Sequence, residues 1–130
     1  MGKDLKDQTN VLQLEGVFTD GFTPIGMLFY NPKYEEALPA ALEKAKVKLD
    51  LMKKFIGEKP FALGYLTIFD FKIAEYSNYL EKIAPETFKE YEFLARIREN
   101  FNNLPEIKAY YEKEDCMKGP FTGKSAAIQF

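Results

Sequence analysis

Histidine and tryptophan are absent from this chain of 130 residues, and cysteine occurs once. Without histidine, Ser-His and Cys-His catalytic pairs and histidine-ligated metals are excluded, and no metal site is expected. The single Cys116 cannot form an internal disulfide, which fits a reducing compartment. It stands among Glu112, Glu114 and Asp115, whose charges disfavour the thiolate. It therefore reads as a half-buried packing thiol near a helix end rather than a nucleophile. Positive charge is not in excess. Lys and Arg number 18 against 20 Asp and Glu, and no basic run appears, so a nucleic-acid surface is not expected. No apolar stretch is long enough to cross a bilayer. The start, Met1-Gly2-Lys3-Asp4-Leu5-Lys6, has no apolar signal core. A phosphate-cradling glycine loop is also missing.

What is abundant is apolar and aromatic. Hydrophobic residues make up 46% of the chain, with 12 Phe and 8 Tyr, enough for one packed core. The clearest local signal is Leu66-Thr67-Ile68-Phe69-Asp70-Phe71. Thr67 can accept a hydrogen bond from the N–H of Asp70, while Asp70 reaches back to the N–H of Thr67. Leu66 and Phe71 occupy the two positions of a hydrophobic staple. The residues that follow, Ile73, Ala74, Tyr76, Tyr79, Leu80 and Ile83, are apolar on more than one face, as in a central helix. Thr67 and Asp70 are thus structural, and losing the Thr67 cap should cost about 1 kcal/mol.

Upstream, Leu38, Leu42, Ala45, Leu49, Met52 and Ile56 recur at steps of four and three, a helical stripe reaching back to Tyr34. Pro39 lies in its first turns, where the helix starts, restarts or bends, and Gly57 supplies a stop. Downstream, Pro85-Glu86-Thr87 opens a helix carrying Phe88, Tyr91, Leu94, Ala95 and Arg98, broken by Asn102-Asn103. Leu104-Pro105-Glu106 then starts a short helix through Ile107, Tyr110 and Tyr111. The N-terminal third reads as a long, interrupted helix, although Gly16, Gly21, Pro24 and Gly26 weaken it. Short strands around Val17-Phe18 and Met27-Leu28-Phe29 are the alternative. The expectation is an all-α bundle of about five helices over residues 1–116, with an irregular tail over 117–130.

These features, in this order, resemble the helical C-terminal domain of glutathione transferases, the mu class most closely. The resemblance is carried by Tyr30-Asn31-Pro32, by Phe55-Ile56-Gly57-Glu58-Lys59-Pro60-Phe61-Ala62-Leu63-Gly64, by the capped Leu66 to Phe71 segment, and by Ile107-Lys108-Ala109-Tyr110. It covers nearly the whole chain. It implies a cytoplasmic detoxifying transferase that joins glutathione, as co-substrate, to hydrophobic electrophiles. In that family an N-terminal thioredoxin-like domain supplies most of the glutathione site and the catalytic tyrosine. No βαβ unit of that kind is legible here. The chain alone is expected to bind no cofactor and to be catalytically incomplete.

By position, the resemblance implies further roles. Asp20 falls where the mu class places an aspartate that helps hold the glutathione of the neighbouring subunit; a solvated acid or local cap is the plainer reading. Tyr30 matches a tyrosine whose hydroxyl assists at the site of bond formation; a ring anchoring a helix end is the alternative. Thr19, Thr23, Gly26 and Met27 fall around the wall of the electrophile pocket, and Phe121 and Thr122 where the C-terminal segment closes it. Phe22 replaces a basic residue of the family pattern and Pro24 a polar one. Phe18, Phe22, Phe29 and Phe61 lead us to expect an apolar face covered by a thioredoxin-like domain or another protein. A homodimer is implied, and a non-catalytic interaction module is the competing reading.

Overall fold

The computed structural model describes residues 2–116, 119 and 121–129. Six helices and no strand are found among them: α1 (Leu5–Leu28), α2 (Tyr34–Ile56), α3 (Ile68–Ile83), α4 (Pro85–Glu90), α5 (Glu92–Asn102) and α6 (Pro105–Tyr111). The expected irregular tail includes 117, 118, 120 and 130, which lie outside the described residues.

α1 starts at Asp4, whose carboxylate accepts from the Asp7 N–H at 2.8 Å. Its buried residues Val11, Leu14, Phe18, Gly21, Ile25 and Leu28 alternate steps of three and four, so one stripe faces the core. The helix is continuous rather than interrupted. Pro24 lies inside it and cannot donate to the Asp20 carbonyl. Side chains serve the neighbouring carbonyls instead. The Thr23 hydroxyl donates to Thr19 O at 2.8 Å, and the Tyr76 hydroxyl donates to Gly21 O at 3.4 Å. With Tyr76 on α3 holding that turn, the tertiary structure overrides the weak local propensity.

α2 returns antiparallel to α1, and the two helices approach closely at Gly21. A Cβ there would lie 3.0 Å from Cβ of Lys48. Pro39 neither restarts nor ends α2, which runs through it from Tyr34. It stops at Gly57, whose φ of 58° favours glycine.

The capping box at Thr67 and Asp70 is present. The Thr67 N–H donates to Asp70 Oδ2 at 2.7 Å, and the Thr67 hydroxyl accepts from the Phe69 N–H at 3.3 Å. Asp70 is fully buried, and its Oδ1 accepts from the Ala62 N–H at 2.8 Å. One carboxylate thus fixes both the start of α3 and the loop that leads to it. α3 packs against α5, α4 and α1.

The sixth helix arises at Tyr91. Sequence periodicity reads Pro85 to Asn102 as one helix, but the backbone breaks at Tyr91, with φ −117° and ψ 74°. The break buries the Tyr91 ring and lets its hydroxyl donate to Asp50 of α2 at 2.8 Å. That partner is 41 residues away and invisible to local pattern. Arg96 on α5 donates to Lys59 O at 3.0 Å and to Gly57 O at 2.5 Å, tying the α2–α3 loop down.

The expectation that Phe18, Phe22, Phe29 and Phe61 form an exposed face is corrected. Phe18 and Phe29 are buried, and Phe22 and Phe61 are partly buried against the core. A run of rings explains this. Phe18, Phe22, Tyr76, Tyr79 and Phe29 meet with centroids 5.0 to 5.7 Å apart, mostly edge to face. The exposed large apolar residues are others, including Met27, Leu66, Ile68, Phe71 and Phe121. Cys116 is buried rather than half-buried. Among the described residues no helix is long and apolar enough to cross a membrane.

Candidate functional site

The end of α1 and one face of α3 border an open cavity of about 470 Å³, lined by Phe22, Thr23, Gly26, Met27, Tyr30, Glu75 and Tyr79. Four of the residues expected at a pocket wall, Thr23, Gly26, Met27 and Tyr30, therefore meet there. The reason is helical spacing: positions 23, 26, 27 and 30 share one side of α1 and its C-terminal turn.

Tyr30 sits just past the helix, with its N–H on Met27 O at 3.1 Å. Its ring is half exposed, and its hydroxyl accepts from the Gly123 N–H at 3.1 Å. No described residue receives the phenolic proton, so the hydroxyl keeps a donor for a ligand. The tail is fastened over the same end of α1. Ile128 N–H donates to Phe29 O at 3.0 Å, the Thr122 hydroxyl to Ile128 O at 3.1 Å, and the Tyr79 hydroxyl to Phe121 O at 3.3 Å.

Phe121 does not line the Tyr30 cavity. It lines a neighbouring one, also about 470 Å³, with Phe71, Phe101 and Tyr110. Glu75 and Tyr79 belong to both cavities and form the wall between them. Thr122 is buried within the tail. Thr19 is exposed on α1 and lines neither cavity. Asp20 is exposed too, and its carboxylate pairs with Lys48 of α2 at 3.3 Å. Thr67 and Asp70 lie at the start of α3, in the structural role already described.

Burial pushes the Tyr79 phenol above its ordinary pKa, with the nearby Glu75 and Tyr30 adding to the shift. Tyr79 therefore remains a neutral hydrogen-bond donor across the physiological range. Burial also raises the Asp70 carboxyl, against the opposing hydrogen bonds from Ala62 and Thr67. Among the described residues no cluster of His, Cys, Asp and Glu is arranged to hold a metal.

Glu75, Tyr79 and Phe71 were not found as site residues from sequence. A signal exists: positions 71, 75 and 79 are four apart, beside the buried stripe of Ile73, Tyr76, Ser77 and Leu80. What they face depends on α1 and on the tail, which periodicity does not reveal.

An all-helical bundle with two recesses along its central capped helix, one against the first helix and one reaching the tail, defines a class of helical domain. The sequence model described as "Glutathione S-transferase, C-terminal domain" matches residues 19–114. The chain belongs to that family. It is 26% identical over 129 residues to the class-mu 26 kDa glutathione S-transferase isozyme 51 of Fasciola hepatica, covering 98% of this chain and 59% of that protein. It is 28% identical over 126 residues to human glutathione S-transferase Mu 1, covering 96% of this chain and 58% of the human protein. A glutathione S-transferase of Dermatophagoides pteronyssinus is 33% identical over 85 residues, or 65% of this chain and 36% of the mite protein. The chain spans a little over half the length of the mu-class relatives it matches.

Proposed function

We propose that this chain forms the electrophile-pocket half of a mu-like glutathione transferase, with the stretch around Phe121 and Thr122 as the segment that closes the pocket. The observation that supports this best is the Tyr30 cavity, an apolar recess with a phenolic donor at its edge. In this reading glutathione is held by a thioredoxin-like domain packed on the exposed apolar surface around Met27, Ile68 and Phe71. The glutathione thiolate attacks an electrophile whose apolar body is removed from water in the cavity. Tyr30 donates its proton to the oxyanion or leaving group that develops. Thr19 flanks the entrance, and Phe121 and Thr122 anchor the closing segment. Asp20 would pair with the ammonium group of glutathione bound to a neighbouring subunit of a homodimer, exchanging its Lys48 contact to do so. The setting is the cytoplasm.

The helical half alone is catalytically incomplete in this reading, because in the family the thioredoxin-like half supplies most of the glutathione site and the thiol-activating tyrosine. The test compares conjugation of a generic aromatic chloride by the purified chain and by the chain joined to a mu-class thioredoxin-like half. Turnover is expected only in the joined protein. Enzyme-like rates from the chain alone would refute incompleteness, and no activity in a folded joined protein would refute the transferase reading. The exposed Leu66, Ile68 and Phe71 around the start of α3 favour a second reading, a non-catalytic docking module in a larger assembly. That reading predicts stable association with other polypeptides and no conjugation in any reconstituted form.

A further inference from the structure

We infer that the twin cavities select a small organic cation, an aryl- or alkylammonium compound, with Glu75 as its counter-charge. This rests on the reading of the Tyr30 cavity as an electrophile pocket and names the class of compound that pocket prefers.

Three observations carry it. Among the described residues Glu75 is the single acidic or basic side chain lining either cavity, and it lies on the wall they share. Its companions are chiefly aromatic: Phe22, Tyr30 and Tyr79 on one side, Phe71, Phe101 and Tyr110 on the other. Glu75 also has no ion-pair partner among the described residues. Lys72, one turn earlier on α3, pairs with Glu15 instead.

The physical consequence follows from what each kind of ligand does to that carboxylate. A neutral electrophile that fills the recess displaces water from Glu75 and gives nothing back, which costs binding energy. A cation of the same shape replaces the lost hydration with a charge interaction. Its positive surface also meets the negative faces of the flanking rings. The rings alone would accept either ligand; the carboxylate among them makes the site discriminate.

The test uses two probes of one shape, para-trimethylammoniophenol and its neutral counterpart para-tert-butylphenol. Each is titrated into the full chain and followed by amide NMR shifts at Glu75 and Tyr79. The cation should bind about tenfold tighter at low salt, and the advantage should shrink as salt is added. Glu75→Gln should bring the two probes to equal affinity, weakening the cation and modestly strengthening the neutral probe, which no longer has a carboxylate to dehydrate. Glu75→Lys should reverse the order. Glu75 is exposed, so both variants should fold. Equal affinities in the native chain, or a preference that survives Glu75→Gln, would overturn the cation assignment. The neutral probe's own affinity reports separately on the apolar pocket. A neutral probe that still binds while the charge preference is absent refutes this inference and leaves the pocket reading standing.

Discussion

Replacing Asp70 should unfold this domain more readily than any cap mutation would suggest. In a simple capping box the acid satisfies one N–H at an exposed helix end, and its loss costs about 1 kcal/mol. Here the carboxylate is fully buried and satisfies two backbone donors, Ala62 N–H at 2.8 Å and Thr67 N–H at 2.7 Å. Ala62 is itself fully buried, so water cannot take over. Each orphaned buried donor costs roughly 1–3 kcal/mol, so Asp70→Ala should lose about 3–5 kcal/mol. Thr67→Ala, which leaves both N–H groups bonded, should lose only about 1 kcal/mol. The assay is equilibrium urea unfolding followed by far-UV circular dichroism. A loss near 1 kcal/mol for Asp70→Ala would refute the double-anchor account.

The pH dependence gives a second handle on the same residue. Burial raises the native carboxyl above its ordinary value of 3.8, so the folded state keeps the proton longer than the unfolded chain does. Between those two pKa values the native state binds more protons, and stability from this group falls as pH rises. Asp70→Asn should abolish that decline. Its destabilisation should therefore be largest in acid and shrink as pH rises through the window.

Other outcomes follow from the packing. Gly16→Ala should stabilise by about 0.5–1 kcal/mol, since α1 gains a better helix former and nothing lies within 4 Å of the new Cβ. Gly21→Ala should lose that gain in thermal unfolding, because its Cβ lands 3.0 Å from Cβ of Lys48. Arg96→Ala should cost about 2 kcal/mol and speed amide exchange in the α2–α3 loop, as the Lys59 and Gly57 carbonyls lose their donor. Burial raises the Tyr76 and Tyr91 phenols, so the folded chain holds their protons above pH 10 while the unfolded chain releases them. Stability should drop as pH climbs past that point. Tyrosinate absorbance and loss of helix should rise together in alkali, and Tyr91→Phe should shift that onset upward.

Much of the architecture was legible because its signals are local. The Thr67 box, the α2 stripe from Leu38 to Ile56, the Gly57 stop and the Pro105 start each lie within a few turns of chain. The rest depends on partners distant in sequence. The break at Tyr91 exists because its ring is buried and its hydroxyl reaches Asp50. Phe18 and Phe29 turn inward because Tyr76 and Tyr79 complete their ring stack. At the site, Thr23, Gly26, Met27 and Tyr30 were named through the family resemblance, and the fold shows them sharing one helix face. Glu75 and Tyr79 needed the packing of α3 on α1. Asp20 read as a glutathione contact by resemblance, or as a solvated acid or local cap, and only the fold brings Lys48 to it.

The decisive measurement is the turnover of a reassembled two-domain transferase carrying this chain, native against Tyr30→Phe, with an aryl epoxide whose opening develops an alkoxide. Loss of the phenolic donor should lower kcat about tenfold or more, with little change in KM for glutathione. Unaltered kcat across epoxides would mean that Tyr30 merely anchors the end of α1, and that the pocket built around its hydroxyl is not where the chemistry occurs.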